Sequence, residues 1–235
     1  MNIDTIGKLE KESHSRVWWQ INSPEKFIEL GEELFFPKGA VIVEAGAKPL
    51  YCWYVLEGKV ITTEITSSTG ERYYNFNEED SMFMECNVFV NRPSPVNFMA
   101  LTDVRLIRIR AETLLKGVEE DPDLSLELLV SLSYKFMNAM DQVREATQCS
   151  VIWKVCNLLL TFADRYGKPY DGKILIKERI SQQMMANLLG INRITMVRTI
   201  KELREAGLVE QINGFYCIRD RDRMQRFMQE TAEDK

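Results

Sequence analysis

From Glu33 to Arg110, short β-rich runs alternate with turn residues: Val41–Val43, Tyr51–Leu56, Val60–Ile65, Arg72–Phe76, Asn97–Leu101 and Arg105–Ile109. Turn signals at Lys38-Gly39, Gly46, Glu57-Gly58, Thr69-Gly70 and Asn91–Pro95 separate them. Short strands at this spacing predict a roll or sandwich of antiparallel pairs. Helical segments flank it at Pro24–Gly31 and Ala111–Gly117.

The pattern then changes period. Asp121-Pro122-Asp123 places a proline and two carboxylates where a helix begins, and neither glycine nor proline follows until after Gln148. Along this helix Leu129, Leu132, Phe136, Ala139, Val143 and Ala146 recur at alternating spacings of three and four. That is the stripe of a coiled-coil seam, so these six residues are the expected dimer interface; a helix lying on its own sheet is the alternative. A second stripe through Leu126, Met137 and Met140 is expected to cover the β-domain. Ser150 is the expected cap of a further amphipathic helix carrying Val151, Val155, Leu158, Leu159 and Phe162, which stops at Gly167-Lys168-Pro169.

Between Ile180 and Leu203 the spacing is that of a helix-turn-helix. Met184–Leu189 reads as a short helix, Gly190-Ile191 as the turn, and Arg193–Glu205 as a second helix capped by Asn192. Close crossing of the helices requires a small residue, Ala186, and the turn requires a glycine free to take a positive φ, Gly190. Met185, Leu189, Met196, Ile200 and Leu203 supply the miniature core, with Thr199 at a position where an apolar side chain is usual. Two β-type runs around Asn213-Gly214 follow, a type I′ hairpin signal that makes the unit a winged helix. The bland alternative is a helical pair that merely packs.

Once core positions are removed, the second helix offers Arg193, Ile194, Val197, Arg198 and Lys201 on its other face. Arginine suits bidentate contact to guanine as well as phosphate clamping. With Ser181, Gln182, Asn192 and Thr195 at the two helix starts, these are the candidate DNA-binding residues. The chain as a whole is acidic, with net charge −5, but from Lys177 to Arg204 six cations face two carboxylates, leaving +4 there and −9 elsewhere. Such segregation fits a focused DNA contact on a body that phosphates repel.

At 235 residues, 45% hydrophobic and 28% charged, the composition is that of a folded globular chain. No run reaches the length of a membrane span, and Met1–Lys11 lacks an apolar signal region, so a cytoplasmic protein without membrane partners is expected. Cys52, Cys86, Cys149, Cys156 and Cys217 are odd in number and widely spread, which argues against a disulfide framework or a zinc site. Cys149 and Cys156 lie two helical turns apart, about 10 Å, so a thiol switch between them is a weak alternative. A single histidine, His14, excludes a His-rich metal site, and no phosphate loop or partnered carboxylate constellation points to an enzyme.

The run Ile180-Ser181-Gln182-Gln183 through Gly190, with Asn192-Arg193-Ile194-Thr195 and Arg198, resembles the signature of the Crp/Fnr family of bacterial transcription regulators. Phe36-Pro37-Lys38-Gly39, Ile42, Gly46 and Tyr54–Val60 are similar to that family's sensor. The resemblance covers nearly the whole chain. It implies an α+β chain: an N-terminal double-stranded β-helix (a cyclic-nucleotide-binding-like jelly roll) over 1–120, a dimerisation helix over 121–149, and a C-terminal winged helix-turn-helix over 150–235. It further implies a homodimer, double-stranded DNA with palindromic sites, RNA polymerase as a partner, and an effector. A ligand-binding module with constitutive or no DNA binding remains the rival.

Two departures from the family matter. Members that read TGTGA-like or TTGAT-like half-sites usually carry glutamate where this chain has Ile194, and isoleucine makes only apolar contact, such as with a thymine methyl. Cyclic-nucleotide members hold ribose with a Gly-Glu and phosphate with an Arg-Ser. Here Asp80–Cys86 contains no Gly-Glu, and Arg92 is followed by Pro93. Cyclic AMP is therefore not the expected effector. Iron–sulfur members carry an N-terminal cysteine cluster, absent here, and haem would depend on His14. With no certain cofactor, an aromatic or uncharged small molecule is expected, in a pocket of Phe83, Met84, Glu85, Val96, Phe98, Tyr134 and Met137. Simple core packing of the β-roll is the other reading of these aromatics.

Overall fold

A computed structural model describes residues 21–66 and 70–233; His14 lies outside the described residues. The chain divides into two compact units, one of the residues up to 64 with 74–142 and the other of 65–73 with the residues from 143 onward, so one division falls inside the long helix.

In the first unit a short helix α1 (Pro24–Ile28) precedes eight strands, β1 (Gly31–Phe36), β2 (Val41–Val43), β3 (Tyr51–Glu57), β4 (Lys59–Thr66), β5 (Gly70–Glu78), β6 (Met82–Phe83), β7 (Asn97–Ala100) and β8 (Val104–Arg110). A short helix α2 (Glu85–Val90) separates β6 from β7. The strands form two four-stranded sheets, ordered β1-β8-β3-β6 and β2-β7-β4-β5. Register is antiparallel, with Gly31 opposite Ile109 and Trp53 opposite both Arg108 and Phe83. Between the sheets lies a core that includes Trp53, Val55, Val60, Leu106 and Ile109. Trp53 stacks on Phe83 at 6.1 Å and Phe83 on Phe98 at 4.7 Å, so one aromatic ladder runs from the first sheet to the second. Only glycine fits at Gly58, where φ is +90° and a Cβ would lie 2.3 Å from the Asp103 carbonyl oxygen.

Helix α3 (Ala111–Glu120) leads into the long helix α4 (Pro122–Gln148). Asp121 Oδ1 accepts from the backbone N–H groups of Asp123 and Leu124, capping α4, and Lys26 Nζ reaches the same carboxylate at 2.7 Å. The Lys26 hydrogen bond leads the causes that hold the Asp121 carboxyl below its ordinary range.

The buried face of α4 differs from expectation. Leu124 and Leu128 enter the β-roll core, but the next positions on that face are Ser131, Lys135 and Asn138, all buried. Gln142 Nε2 continues the polar stripe, donating to Asn75 Oδ1 at 2.8 Å. Met137 and Met140, expected to cover the roll, are exposed, as are Leu129, Phe136 and Val143. The reason is rotational phase: leucines at 124 and 128 turn residues 131, 135 and 138 inward and leave both apolar stripes outward.

Apart from residues 65–73, the second unit consists of the chain beyond Gln142. Helix α5 (Val151–Tyr166) is capped by Ser150, whose side chain accepts from Trp153 N. It buries Val155, Cys156, Leu158, Leu159 and Phe162. A hairpin β9 (Gly167–Tyr170) and β10 (Lys173–Ile176) follows, then α6 (Gln182–Leu189), α7 (Arg193–Glu205), β11 (Val209–Ile212), β12 (Phe215–Ile218) and α8 (Arg221–Glu233). The four strands form a sheet ordered β11-β12-β10-β9. Arg221 pairs with Asp164 through two contacts, one of them 2.9 Å, tying α8 to α5.

Leu128→Ala should cost the β-domain about 2–5 kcal/mol, because it leaves a cavity under α4 that the sheets cannot refill. Urea unfolding followed by circular dichroism checks this.

Candidate nucleic-acid interface and effector pocket

The helix-turn-helix is built as its residue types require. Ala186 is fully buried at the crossing, and Gly190 takes φ +63°. The Gly190 and Ile191 N–H groups both donate to the Ala186 carbonyl, closing α6 in a left-handed cap. Met185, Leu189, Met196, Thr199, Ile200 and Leu203 are buried. Ser181 Oγ accepts from Met184 N at 3.0 Å and Asn192 Oδ1 from Thr195 N at 2.8 Å, so both helix starts are capped by side chains.

What the core leaves outward on α7 is a compact set. Asn192, Arg193, Ile194, Val197, Arg198 and Lys201 are exposed, Ile194 at 82%, while Thr195 and Gln182 are half-buried. Ser181 is exposed at the start of α6. Lys201 lies 3.7 Å from Glu205, one turn on. An isoleucine so exposed on a helix face that is otherwise polar except for Val197 has no folding role to explain it. The wing hairpin turns through Asn213 and Gly214, both with positive φ, and sets Ile212 opposite Phe215. Phe215 carries Lys177 at 5.8 Å and Arg179 at 5.4 Å above its ring, so the wing orders two cations that the sequence counted only as charge.

In the first unit, a pocket of about 370 Å3 opens between the β-roll and α4. Of the expected residues, Phe83, Met84, Glu85 and Phe98 line it. Val96 instead packs against the roll's core, Met137 is exposed, and neither they nor Tyr134 line the pocket. From α4 it is Leu132, Lys135 and Phe136 that do, a consequence of the helix phase described above. Thr62, Cys86 and Asn87 complete the wall. Lys135 Nζ, buried, donates to Glu85 Oε1 and to the Met82 carbonyl at 2.9 Å. Glu85 is 1% exposed, and its Oε2 has no hydrogen-bond partner among the described residues.

The two halves each match a known domain: residues 33–121 the cyclic nucleotide-binding domain and residues 154–227 the Crp-like helix-turn-helix domain. The chain belongs to the Crp/Fnr family. Among its relatives is the CRP-like cAMP-activated global transcriptional regulator of Mycobacterium tuberculosis, 22% identical over 191 residues, 81% of this chain and 85% of that protein. The global nitrogen regulator of Synechocystis is 24% identical over 191 residues, 78% of this chain and 85% of the other. A solved structure of a CooA mutant from Carboxydothermus hydrogenoformans shares the fold, with TM-score 0.76, 14% identity, and coverage of 89% of this chain and 96% of that one.

This Crp/Fnr chain has an unusual sensor. Its sequence lacks the Gly-Glu pair of the cyclic-nucleotide members, yet Met84 adopts φ +70°, a glycine's conformation, directly before Glu85 at the start of α2. The carboxylate is thus in place, but a buried lysine already occupies one of its oxygens. Arg92 is exposed on a loop held by Asn87 Nδ2, which donates to the Arg92 and Pro93 carbonyls. Two of the thiols, those of Cys86 and Cys156, are held protonated by their surroundings. Cys86, exposed at the pocket, has its thiol pushed up to about 11 by desolvation around the sulfur and by the Glu85 carboxylate. Burial, with the Glu202 carboxylate, pushes the Cys156 thiol up to about 12.

A raised thiol pKa means less thiolate at neutral pH. Iodoacetamide at pH 7 should therefore alkylate Cys86 at least tenfold more slowly than a cysteine in an unstructured peptide, read by a mass-spectrometric time course.

Proposed function

We propose that this protein is a cytoplasmic, effector-responsive transcription regulator without enzymatic activity, binding a palindromic promoter site as a homodimer. Residues 1–120 sense the effector, 121–149 dimerise, and 150–235 bind DNA. RNA polymerase is the further partner that the family implies. The observation that carries the reading is the exposed face of α7, where Arg193, Ile194, Val197, Arg198 and Lys201 stand clear of a fully formed core between two capped helix starts. Ser181, Gln182, Asn192 and Thr195 fix the register on phosphates, Arg193, Arg198 and Lys201 contact bases or phosphates, and Ile194 and Val197 meet thymine methyl groups.

The homodimer reading rests on α4. Leu129, Phe136 and Val143 form an exposed stripe, with Leu132, Ala139 and Ala146 at the intervening turns. A second copy of the same helix is the partner whose apolar stripe matches it. Leu132 and Phe136 belong both to this stripe and to the pocket wall, so a ligand that repositions them alters the pairing of the helices. The pairing in turn sets whether two α7 helices enter successive major grooves about 34 Å apart.

Selection from a random duplex library should return a palindrome whose half-site departs from TGTGA and TTGAT opposite Ile194. An unmodified family half-site would refute the role given to that residue, and a monomer by sedimentation that binds no duplex at low salt would refute the whole reading.

Arg198→Ala should weaken binding to the selected site by roughly 1–3 kcal/mol and relax selectivity at one base position. Fluorescence anisotropy against the selected duplex and its single-base variants measures both.

A further inference from the structure

The pocket beside α4 is lined by apolar surface with one polar feature that the protein leaves incomplete. Phe83, Met84, Phe98, Leu132 and Phe136 form a cleft for a flat or compact apolar body. Glu85 is one of the residues lining this cleft; its Oε1 is taken by Lys135, and its Oε2 is buried with no hydrogen-bond partner among the described residues. A buried carboxylate oxygen without a donor is costly, and a donor supplied from outside removes the cost.

Charge narrows the class of molecule. Lys135 is committed to Glu85 and to the Met82 carbonyl, so an anion entering the pocket must break that pair while lying beside the bare carboxylate oxygen. A cation would be drawn to that oxygen but would stand against the Lys135 ammonium. The pair itself sums to zero, and an uncharged ligand leaves it so. The lining also includes Thr62, whose hydroxyl accepts from Asn77 Nδ2 at 3.2 Å and keeps its own proton to donate. A hydroxyl, which both donates and accepts, suits such walls.

Resting on the effector-pocket reading above, we infer that the effector is a small uncharged molecule with a ring-sized apolar body and a hydroxyl or N–H group, and that this group donates its hydrogen bond to Glu85 Oε2. Phosphorylated and carboxylated compounds are excluded by the same carboxylate.

Four near-isosteric probes separate the possibilities: benzyl alcohol, toluene, benzoate and benzylammonium, titrated by NMR at pH 7 into the full-length protein. Benzyl alcohol should bind at least tenfold more tightly than each of the others, with intermolecular NOEs from its benzylic protons to the Met84 methyl and the Phe98 ring. In the double variant Glu85→Leu/Lys135→Met, which removes both charges at similar volume, toluene should still bind and the advantage of benzyl alcohol should vanish. Toluene equal to benzyl alcohol, tightest binding by either ion, absent NOEs, or an advantage that survives in the double variant would each overturn the inference while leaving an apolar pocket intact. No binding by any probe, with DNA binding preserved, would remove the effector-pocket reading and the inference together.

Discussion

One helix of 27 residues must satisfy two incompatible surroundings. Along its inward face α4 gives two leucines to the β-roll and then a polar stripe that includes a lysine–glutamate pair; along its outward face it leaves Leu129, Phe136, Met137, Met140 and Val143 in solvent. Among the described residues nothing covers these large apolar side chains, and monomeric proteins rarely leave so many bare on one element. The helix is therefore the part of the molecule that is unfinished alone. The proposed dimer and the pocket lining both depend on how it is rotated.

The DNA-facing half obeys a different constraint, that of charge placed where the backbone is rigid. Caps at Ser181 and Asn192 and the Gly190 turn hold α6 and α7 without using any outward side chain of α7. Arg193, Ile194, Val197 and Arg198 on that face are thus available for contact. Lys177 and Arg179 do not dangle either, since the Phe215 ring holds both near the wing. With the rest of the chain at −9, phosphates meet attraction at one surface and repulsion elsewhere, which orients the encounter before any base is read.

Much of this was legible in the residues, and the failures are instructive. The helix-turn-helix could be read because each special position has a unique chemical demand, small at Ala186, positive φ at Gly190, oxygen-bearing caps at Ser181 and Asn192. Strand β1 was missed because Gly31-Glu32-Glu33 looks like a loop; in the fold those glutamates pair across the sheet with Arg108 and Arg105. The β9–β10 hairpin was hidden behind a helix stop at Gly167, although Asp171-Gly172, both at positive φ, carried the turn signal. Helix α8 went unread despite Asp220 as its cap and the spacing of Met224, Phe227 and Met228. The pocket lining differs from the expected set on its α4 side for a deeper reason. Periodicity gives which residues share a face but not which way the face points, and a stripe of Ser131, Lys135 and Asn138 reads as solvated until a partner such as Glu85 is known.

That buried pair also bears on how a signal travels. An ion pair sealed from water adds little net stability, because desolvation consumes the Coulombic gain, so its presence is better explained by what it makes possible than by what it holds together. A ligand changes DNA affinity only by the difference in its contacts between two arrangements of the protein. A tenfold change needs about 1.4 kcal/mol, which at about 25 cal/mol per Å2 corresponds to roughly 60 Å2 of apolar surface covered in one arrangement and not the other. Phe136 stands at the pocket edge and on the outward stripe, 63% exposed. A phenyl ring has on the order of 150–250 Å2 to bury. Moving that one ring from solvent to a ligand or a partner helix is enough to supply the coupling, so no extended pathway through the β-roll is required.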